Sequence, residues 1–215
     1  NIFQLKEYSI FDLMINLPGK KSYIIRNIKI PLLGLHNIRN ATAAVAVSTI
    51  IGISLKIIKK ALREFKGVQR RFNKIFTFNN TIFFDDYAHH PTEIRAVLDG
   101  ARQVFDNKKI ICVFQPHRYS RVKNLKQEFA SSFKLCDEII LCPVYSAGEK
   151  EKYNFKQENF SKLISKKSNV QVINIKDKSD LKNYIKKNLF SNEIIICMGA
   201  GSISNWIREI GNELK

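Results

Sequence analysis

All four histidines of this 215-residue chain lie in three short segments. They are Gly34-Leu-His-Asn-Ile-Arg-Asn40, Asp85-Asp-Tyr-Ala-His-His-Pro91 and Gln115-Pro-His-Arg-Tyr-Ser-Arg121. The third is the most pointed. Arg118 and Arg121 stand three apart with His117 beside them, and guanidinium groups bind carboxylate or phosphate through a two-pronged donor face. A helix read after them, on Val122, Leu125, Phe129 and Phe133, would add the positive end of its dipole. The segment is expected to bind an anion; a surface ion pair is the plainer account. In the second segment, Asp85, Asp86, His89 and His90 suit a divalent ion. They equally suit a ribose-binding Asp with an orienting His, or a capped turn whose Asp85 satisfies backbone N–H groups. Asn37 and Asn40 are one helical turn apart at a helix start, as ligand contacts or as an N-cap with a solvent-facing neighbour. Arg70-Arg71, after Gly67, can reach phosphates or stand in water. Gly199-Ala200-Gly201-Ser202 opens the last helix and can cradle an anion, although it lacks a third glycine.

The second and third segments follow apolar runs, TIFFDDY (residues 81–87) and IICVFQP (residues 110–116). Further apolar runs at 138–142, 170–175 and 193–197 alternate with amphipathic stretches at 91–105, 120–134, 156–166, 178–188 and 201–213. Such alternation predicts an α/β fold with a Rossmann-like, doubly wound, mostly parallel sheet. Residues 74–78 and 81–85 read as a hairpin turning at Asn79-Asn80. Ligands of doubly wound sheets bind beyond the carboxyl ends of the strands, so both segments are expected on one rim. Before this region, 23–30 reads as a strand and 37–51 as a helix with almost no polar face, hence buried. A further helix starts at an N-cap Ser54, carries Leu55, Ile57, Ile58, Ala61, Leu62 and Phe65 on one stripe, and ends at Gly67. A boundary near residue 72 divides the chain into 1–72 and 73–215. The first part offers few strands to cover its helix and looks incomplete as a fold.

Composition narrows the classes further. Hydrophobic residues make up 45% of the chain, enough for a core, and no apolar run reaches the roughly 18–20 residues of a membrane span. Cys112, Cys136, Cys142 and Cys197 form no C-x-x-C pair and read as buried thiols in a reducing, cytoplasmic setting. A formal charge of +17 raises nucleic-acid binding. The lysines, however, are scattered through nearly every segment, with no basic stripe interleaved with aromatics, so no nucleic-acid partner is expected. Opening on Asn1 with no signal-peptide pattern, the chain is expected to be part of a longer one.

Together these segments resemble the Mur ligase family of peptidoglycan synthesis, over about residues 34–205. H-N-x-x-N-x-x-A-A (36–44) is similar to the family's adenine-side helix start, and G-V-Q-R-R-F (67–72) to its phosphate-facing hinge. D-D-Y-A-H-H-P-T-E (85–93), F-Q-P-H-R-Y-S-R (114–121), V-Y-S-A-G-E (144–149) and G-A-G-S-I (199–203) resemble the branch that joins L-alanine to UDP-N-acetylmuramate. The branch that recycles murein tripeptide shares a D-D-x-A-H-H-P-like segment and is not expected to carry Q-P-H-R-Y-S-R. The resemblance implies an ATP- and Mg2+-dependent ligase of cell-wall biogenesis, cell shape and division, which forms an amide through an acyl phosphate. It implies adenine on Asn37 and Asn40, phosphates on Arg71 and ribose on Asp86. Tyr87, His89, His117, Arg118 and Arg121 would line the amino-acid and acyl side, with Arg71, His89 and Arg118 in the catalytic roles. Residues 1–72 would then be the tail of an ATP-binding domain, and 73–215 an amino-acid-binding domain.

One departure bears on activity. The family's G-x-x-G-K-[ST] phosphate loop is absent, and Gly19-Lys20-Lys21 does not match it. The Mg2+ ligands and the UDP-binding domain are expected upstream, so UDP-N-acetylmuramate, L-alanine and ATP would meet only with the remainder of the ligase present. This chain alone is expected to be inactive. A rival from another class is a metal-dependent hydrolase built on Asp85, Asp86, His89, His90 and His117.

Overall fold

A computed structural model describes residues 1–4, 8–16, 19, 21–65, 67–150, 154–188 and 192–214; Lys20, weighed above, lies outside them. The chain divides into two units, Asn1–Val68 and Gln69–Lys215.

In the first unit, strands β1 (Ile2–Gln4), β2 (Ser9–Ile15) and β3 (Tyr23–Ile30) form an antiparallel sheet. Only the last was legible in the sequence. β2 carries a register shift between Phe11 and Leu13, which breaks the two-residue alternation that marks a strand. Helices α1 (Leu35–Ile50) and α2 (Leu55–Glu64) follow. Their Ile38, Ala41, Val45 and Ile58 pack with Phe11, Ile25, Ile28 and Ile30 of the sheet. The helix read as buried is buried on one face only, with Val47 59% and Ile51 68% exposed. A short sheet covers one side of a helix, so apolar residues on the other side remain in water. The stripe read on α2 is likewise mostly uncovered: Ile58 is buried while Leu55, Ile57 and Phe65 are exposed. Gly67 does not end α2, whose last turn closes at Glu64.

The second unit is the doubly wound sheet. Its strands are β4 (Asn73–Phe78), β5 (Thr81–Asp86), β6 (Ile110–Phe114), β7 (Glu138–Leu141), β8 (Gln171–Asn174) and β9 (Ile194–Met198). They lie in the order β4-β5-β9-β6-β7-β8, antiparallel at β4 and parallel elsewhere. The β4–β5 turn places Asn79 and Asn80 at φ 47° and 61°, the left-handed pair that a two-residue hairpin requires. Helices α3 (Pro91–Val104), α4 (Tyr119–Asn124), α5 (Lys126–Ala130) and α6 (Gln157–Ser168) supply one apolar layer, through Leu98, Phe129 and Phe160. Helices α7 (Lys178–Asn188) and α8 (Ile203–Glu213) supply the other, through Leu181, Ile207 and Ile210. Covered on both faces, the strands read as continuous apolar runs. The stretch expected as one helix over 120–134 is two short ones, parted at Leu125. Among the described residues, no helix is long and apolar enough to cross a membrane.

Candidate functional site

Strand alternation decides what Asp85 and Asp86 do, because neighbours in a strand face opposite sides of the sheet. Asp85, 0% exposed, accepts Ser204 Oγ at 2.6 Å and Arg208 Nη2 at 3.0 Å from α8, with Arg70 Nε 3.8 Å away. It is the buried centre of an ion network and satisfies no backbone N–H group among its described bonds. Asp86, 1% exposed, takes that part instead: Oδ1 accepts Ala88 N–H at 2.7 Å and Oδ2 accepts Phe72 N–H at 2.8 Å. Burial raises its pKa to about 6, outweighing both hydrogen bonds. Asp86 thus ties the 70–72 turn to the turn after β5.

That second turn carries Tyr87, His89 and His90. His90 is withdrawn into the α3 cap, where its Nδ1 accepts Thr92 N–H and Glu93 accepts the N–H groups of His89 and His90. This reciprocal capping is stable because it satisfies donors that no helical carbonyl can reach. Asp85, Asp86 and His90 are therefore each engaged apart from the other two histidines. Among the described residues, no group of three or more His, Cys, Asp or Glu is placed to hold a metal ion. The four cysteines are free and buried.

What the rim does assemble is a row of rings. Tyr87 lies edge-on to His89 at 5.0 Å, His89 edge-on to His117 at 5.7 Å, and His117 stacks on Tyr145 at 5.7 Å. Arg70 and Arg71 approach the Tyr87 ring at 4.7 and 5.9 Å. Arg70 also donates to the Gly199 carbonyl, while Arg71 is exposed. Hydrogen-bond partners fix the imidazoles. His89 Nδ1 faces the Tyr87 carbonyl at 2.9 Å and Glu93 Oε2 at 3.3 Å, both acceptors, so Nδ1 carries a hydrogen. His117 Nδ1 lies 3.3 Å from Arg121 Nη1, which can only donate, so His117 presents Nε2–H. Burial, then Arg121, His89 and Arg118, lower the His117 pKa below its usual value and keep it neutral at pH 7.

Behind the row, Gln115 Oε1 accepts Ile203 N–H at 3.0 Å and its amide donates to Ser202 Oγ at 3.0 Å, tying β6 to the start of α8. Gly201 is required here: a Cβ on it would meet the Tyr145 ring at 2.4 Å. The dipole end expected to serve a ligand at Arg118 is already occupied. The Glu149 carboxylate accepts Ser120 N–H at 3.0 Å and Ser120 Oγ at 2.6 Å, so an anion here would be met by side chains rather than by the Ser120 N–H.

Asn37 and Asn40 belong to the first unit. The helix starts earlier than expected, at Leu35 with Gly34 as N-cap, so neither asparagine caps it. Asn37 is buried and donates to the Leu33 carbonyl at 2.7 Å, while Asn40 is exposed. Arg70, read as free to reach phosphates or stand in water, is instead held by the Gly199 carbonyl, Asp85 and the Tyr87 ring, and sequence reasoning gave no individual part to Tyr145 or Glu149. The last two follow β7, and the strand-end rule applied to that strand is the signal that finds them.

Residues 70–201, which make up most of the doubly wound unit and its rim, match the family described as Mur ligase, glutamate ligase domain. The chain belongs to the Mur ligase family. It is 60% identical over 210 residues to UDP-N-acetylmuramate–L-alanine ligase of Pelagibacter ubique, covering 98% of this chain and 45% of that protein. The crystal structure of UDP-N-acetylmuramate–alanine ligase from Thermotoga maritima superposes with TM-score 0.74 at 29% identity, over 97% of this chain and 43% of that one. A murein peptide ligase from Psychrobacter arcticus shares the fold, with TM-score 0.68 at 23% identity, over 94% and 42%. The chain thus spans under half the length of each of these three proteins.

Proposed function

We propose that this chain is part of a cytoplasmic, ATP-dependent ligase that joins L-alanine to UDP-N-acetylmuramate in peptidoglycan precursor synthesis. The observation that carries the reading is the ring row beside Arg118 and Arg121, in a chain 60% identical to such a ligase.

Arg118, Arg121 and the His117 Nε2–H are three donors suited to one carboxylate, that of alanine. His89, oriented by Glu93 and the Tyr87 carbonyl, would in its neutral form take at Nε2 the proton that an alanine ammonium must lose before its nitrogen attacks. The rings of Tyr87 and Tyr145 flank the imidazoles. Holding nucleophile and acceptor in one orientation is a large part of what such a site supplies.

For ATP, the exposed Arg71 guanidinium of the second unit suits the phosphates; in the first unit, Asn37 and Asn40 carry amides of the kind that pair with an adenine edge, the Asn37 amide donating to the Leu33 carbonyl. Asp86 fits ribose poorly, since both its oxygens accept backbone N–H groups in a buried position. It acts instead by setting the Tyr87 turn. ATP supplies the phosphoryl group that activates the muramoyl carboxylate. The described residues do not fit Mg2+, and no step among them runs through it. Arg71 would face the charge that develops on the transferring group.

The test is phosphate release by the complete ligase containing this sequence, with ATP, UDP-N-acetylmuramate and L-alanine. Release that requires all three supports the reading; release that requires a tripeptide in place of L-alanine overturns it. The chain on its own is expected to form no UDP-muramoyl-alanine.

A further inference from the structure

Residues 143–149, which follow β7, grip the arginine-bearing segment at both of its ends. Next to the sheet, Tyr145 N–H donates to the Pro116 carbonyl at 2.8 Å, and the Tyr145 carbonyl accepts Arg118 N–H at 2.9 Å, a one-residue parallel bridge. Farther out, the Glu149 carboxylate takes both the N–H and the hydroxyl of Ser120. The stretch between the two grips is closed by Glu149 N–H on the Ser146 carbonyl at 3.0 Å, through Ala147 and Gly148 at φ 51° and 84°. Arg118, lying between the grips, has φ 68°. Left-handed backbone at a non-glycine residue persists only where the surroundings over-determine it. Arg118 and Ala147 each meet that condition, because the two facing segments hold each other. The result is a fixed turn from which Arg118 and Arg121 leave.

Charge points the same way. Hydrogen bonds from Ser120 hold the Glu149 pKa below the usual carboxylate range, so it stays ionised at neutral pH. Its field reaches Arg118 and His117. Its oxygens are committed to Ser120, so it offsets part of the arginine charge without occupying the guanidinium faces.

We propose that Glu149 is a positioning residue for the amino-acid substrate: through Ser120 it sets the turn that presents Arg118 and Arg121 to the alanine carboxylate, while Tyr145 fixes His117 by ring stacking. This rests on the ligase reading given above.

In the complete ligase, Glu149→Ala is expected to raise KM for L-alanine about ten- to a hundredfold, as a displacement of about an ångström does, and to leave KM for ATP unchanged. Glu149→Gln, whose amide oxygen still accepts Ser120 N–H, recovers most of that loss. Ser120→Ala, which removes the hydroxyl donor alone, raises the same KM by less. Hydrogen exchange at the Arg118 and Ser120 amides reads the grip without any substrate: both lose protection in Glu149→Ala and keep it in Glu149→Gln. Lost protection with an unchanged KM for L-alanine overturns the positioning role. So does a KM for ATP that rises in step with it, which is general loosening. Unchanged protection overturns the grip itself. If Glu149→Ala does not fold, Ser120→Ala and Glu149→Gln carry the same readouts. A wild-type ligase that does not use L-alanine overturns the ligase reading, and exchange in these variants still decides the grip.

Discussion

The two ends of the parallel strands are built on opposite terms. At their amino ends the charges are paired within the fold. Lys109 meets the buried Glu138 at 2.7 Å, the Tyr184 hydroxyl donates to the same carboxylate, and Thr81 Oγ donates to the buried Glu193 at 2.6 Å. Asp137 accepts both Ile110 N–H and Arg102 at 2.7 Å. At the carboxyl ends, no carboxylate among the described residues lies within ion-pair distance of Arg71, Arg118 or Arg121. Of the acids there, Asp86, Glu93 and Glu149 hold backbone N–H groups, and Asp85 is turned to Arg208 and Arg70 rather than to these three arginines. One end of the sheet is neutralised by its own chain; the other keeps cationic donors for something that is not part of it.

The contrast can be broken at either end. The largest effect is expected from Arg118→Ala. Loss of a charged hydrogen bond costs about 1.5–3 kcal/mol, so kcat/KM for L-alanine should fall roughly tenfold to a hundredfold in the complete ligase, with little change in urea stability. An unchanged kcat/KM would remove Arg118 from the site. Tyr184→Phe should do the reverse, costing about 1–2 kcal/mol in urea unfolding by leaving the buried Glu138 short of a donor, with KM unaltered. A raised KM there would end the distinction between the two rims.

Asp86 gives a pH signature. Its pKa of about 6 lies above the ordinary carboxylate value, so the folded chain holds this proton more tightly than the unfolded chain. The associated stability is full below about pH 4 and is lost as pH rises through about 6. Relative to Asp86→Asn, the wild type should therefore gain on the order of 1 kcal/mol between about pH 7 and about pH 5. Parallel stability profiles would show that Asp86 is not buried as an acid. Smallest of all, Lys109→Ala should cost about 0.2–1 kcal/mol, since the lysine is 45% exposed in its pair with Glu138; differential scanning calorimetry reads this, and activity should not move.

The strand–helix alternation, the hairpin at Asn79-Asn80 and the gathering of His89, His117, Arg118 and Arg121 on one rim were legible in the sequence, because each follows from a local period or from the strand-end rule. The partners of Asp85 were not. Ser204 and Arg208 lie more than a hundred residues along the chain, and no spacing rule links such positions. Asp85 and Asp86 look interchangeable in a one-dimensional reading; only the strand's two faces tell an ion network from a turn anchor. Glu149 was visible as part of a motif, yet its occupation of the α4 start depends on two loops meeting in space. The solvent-facing apolar side of α1 was misjudged because composition says that a helix is apolar without saying how much sheet is available to cover it.

The order of strands in the sheet has a consequence for synthesis on the ribosome. β9 comes after β5 through β8 in the chain, yet it sits between β5 and β6, hydrogen-bonded to both. The contact of His89 with His117 spans that gap. While residues 194–198 are still in the exit tunnel, the two halves of the rim have no strand to set their spacing. The arginine-rich turn is made early, but its counterpart across the sheet arrives only when β9 inserts. Long-range closure of this kind is slow compared with local folding. A translation product that stops short of β9 would therefore carry most of the rim's residues without the spacing between its two halves.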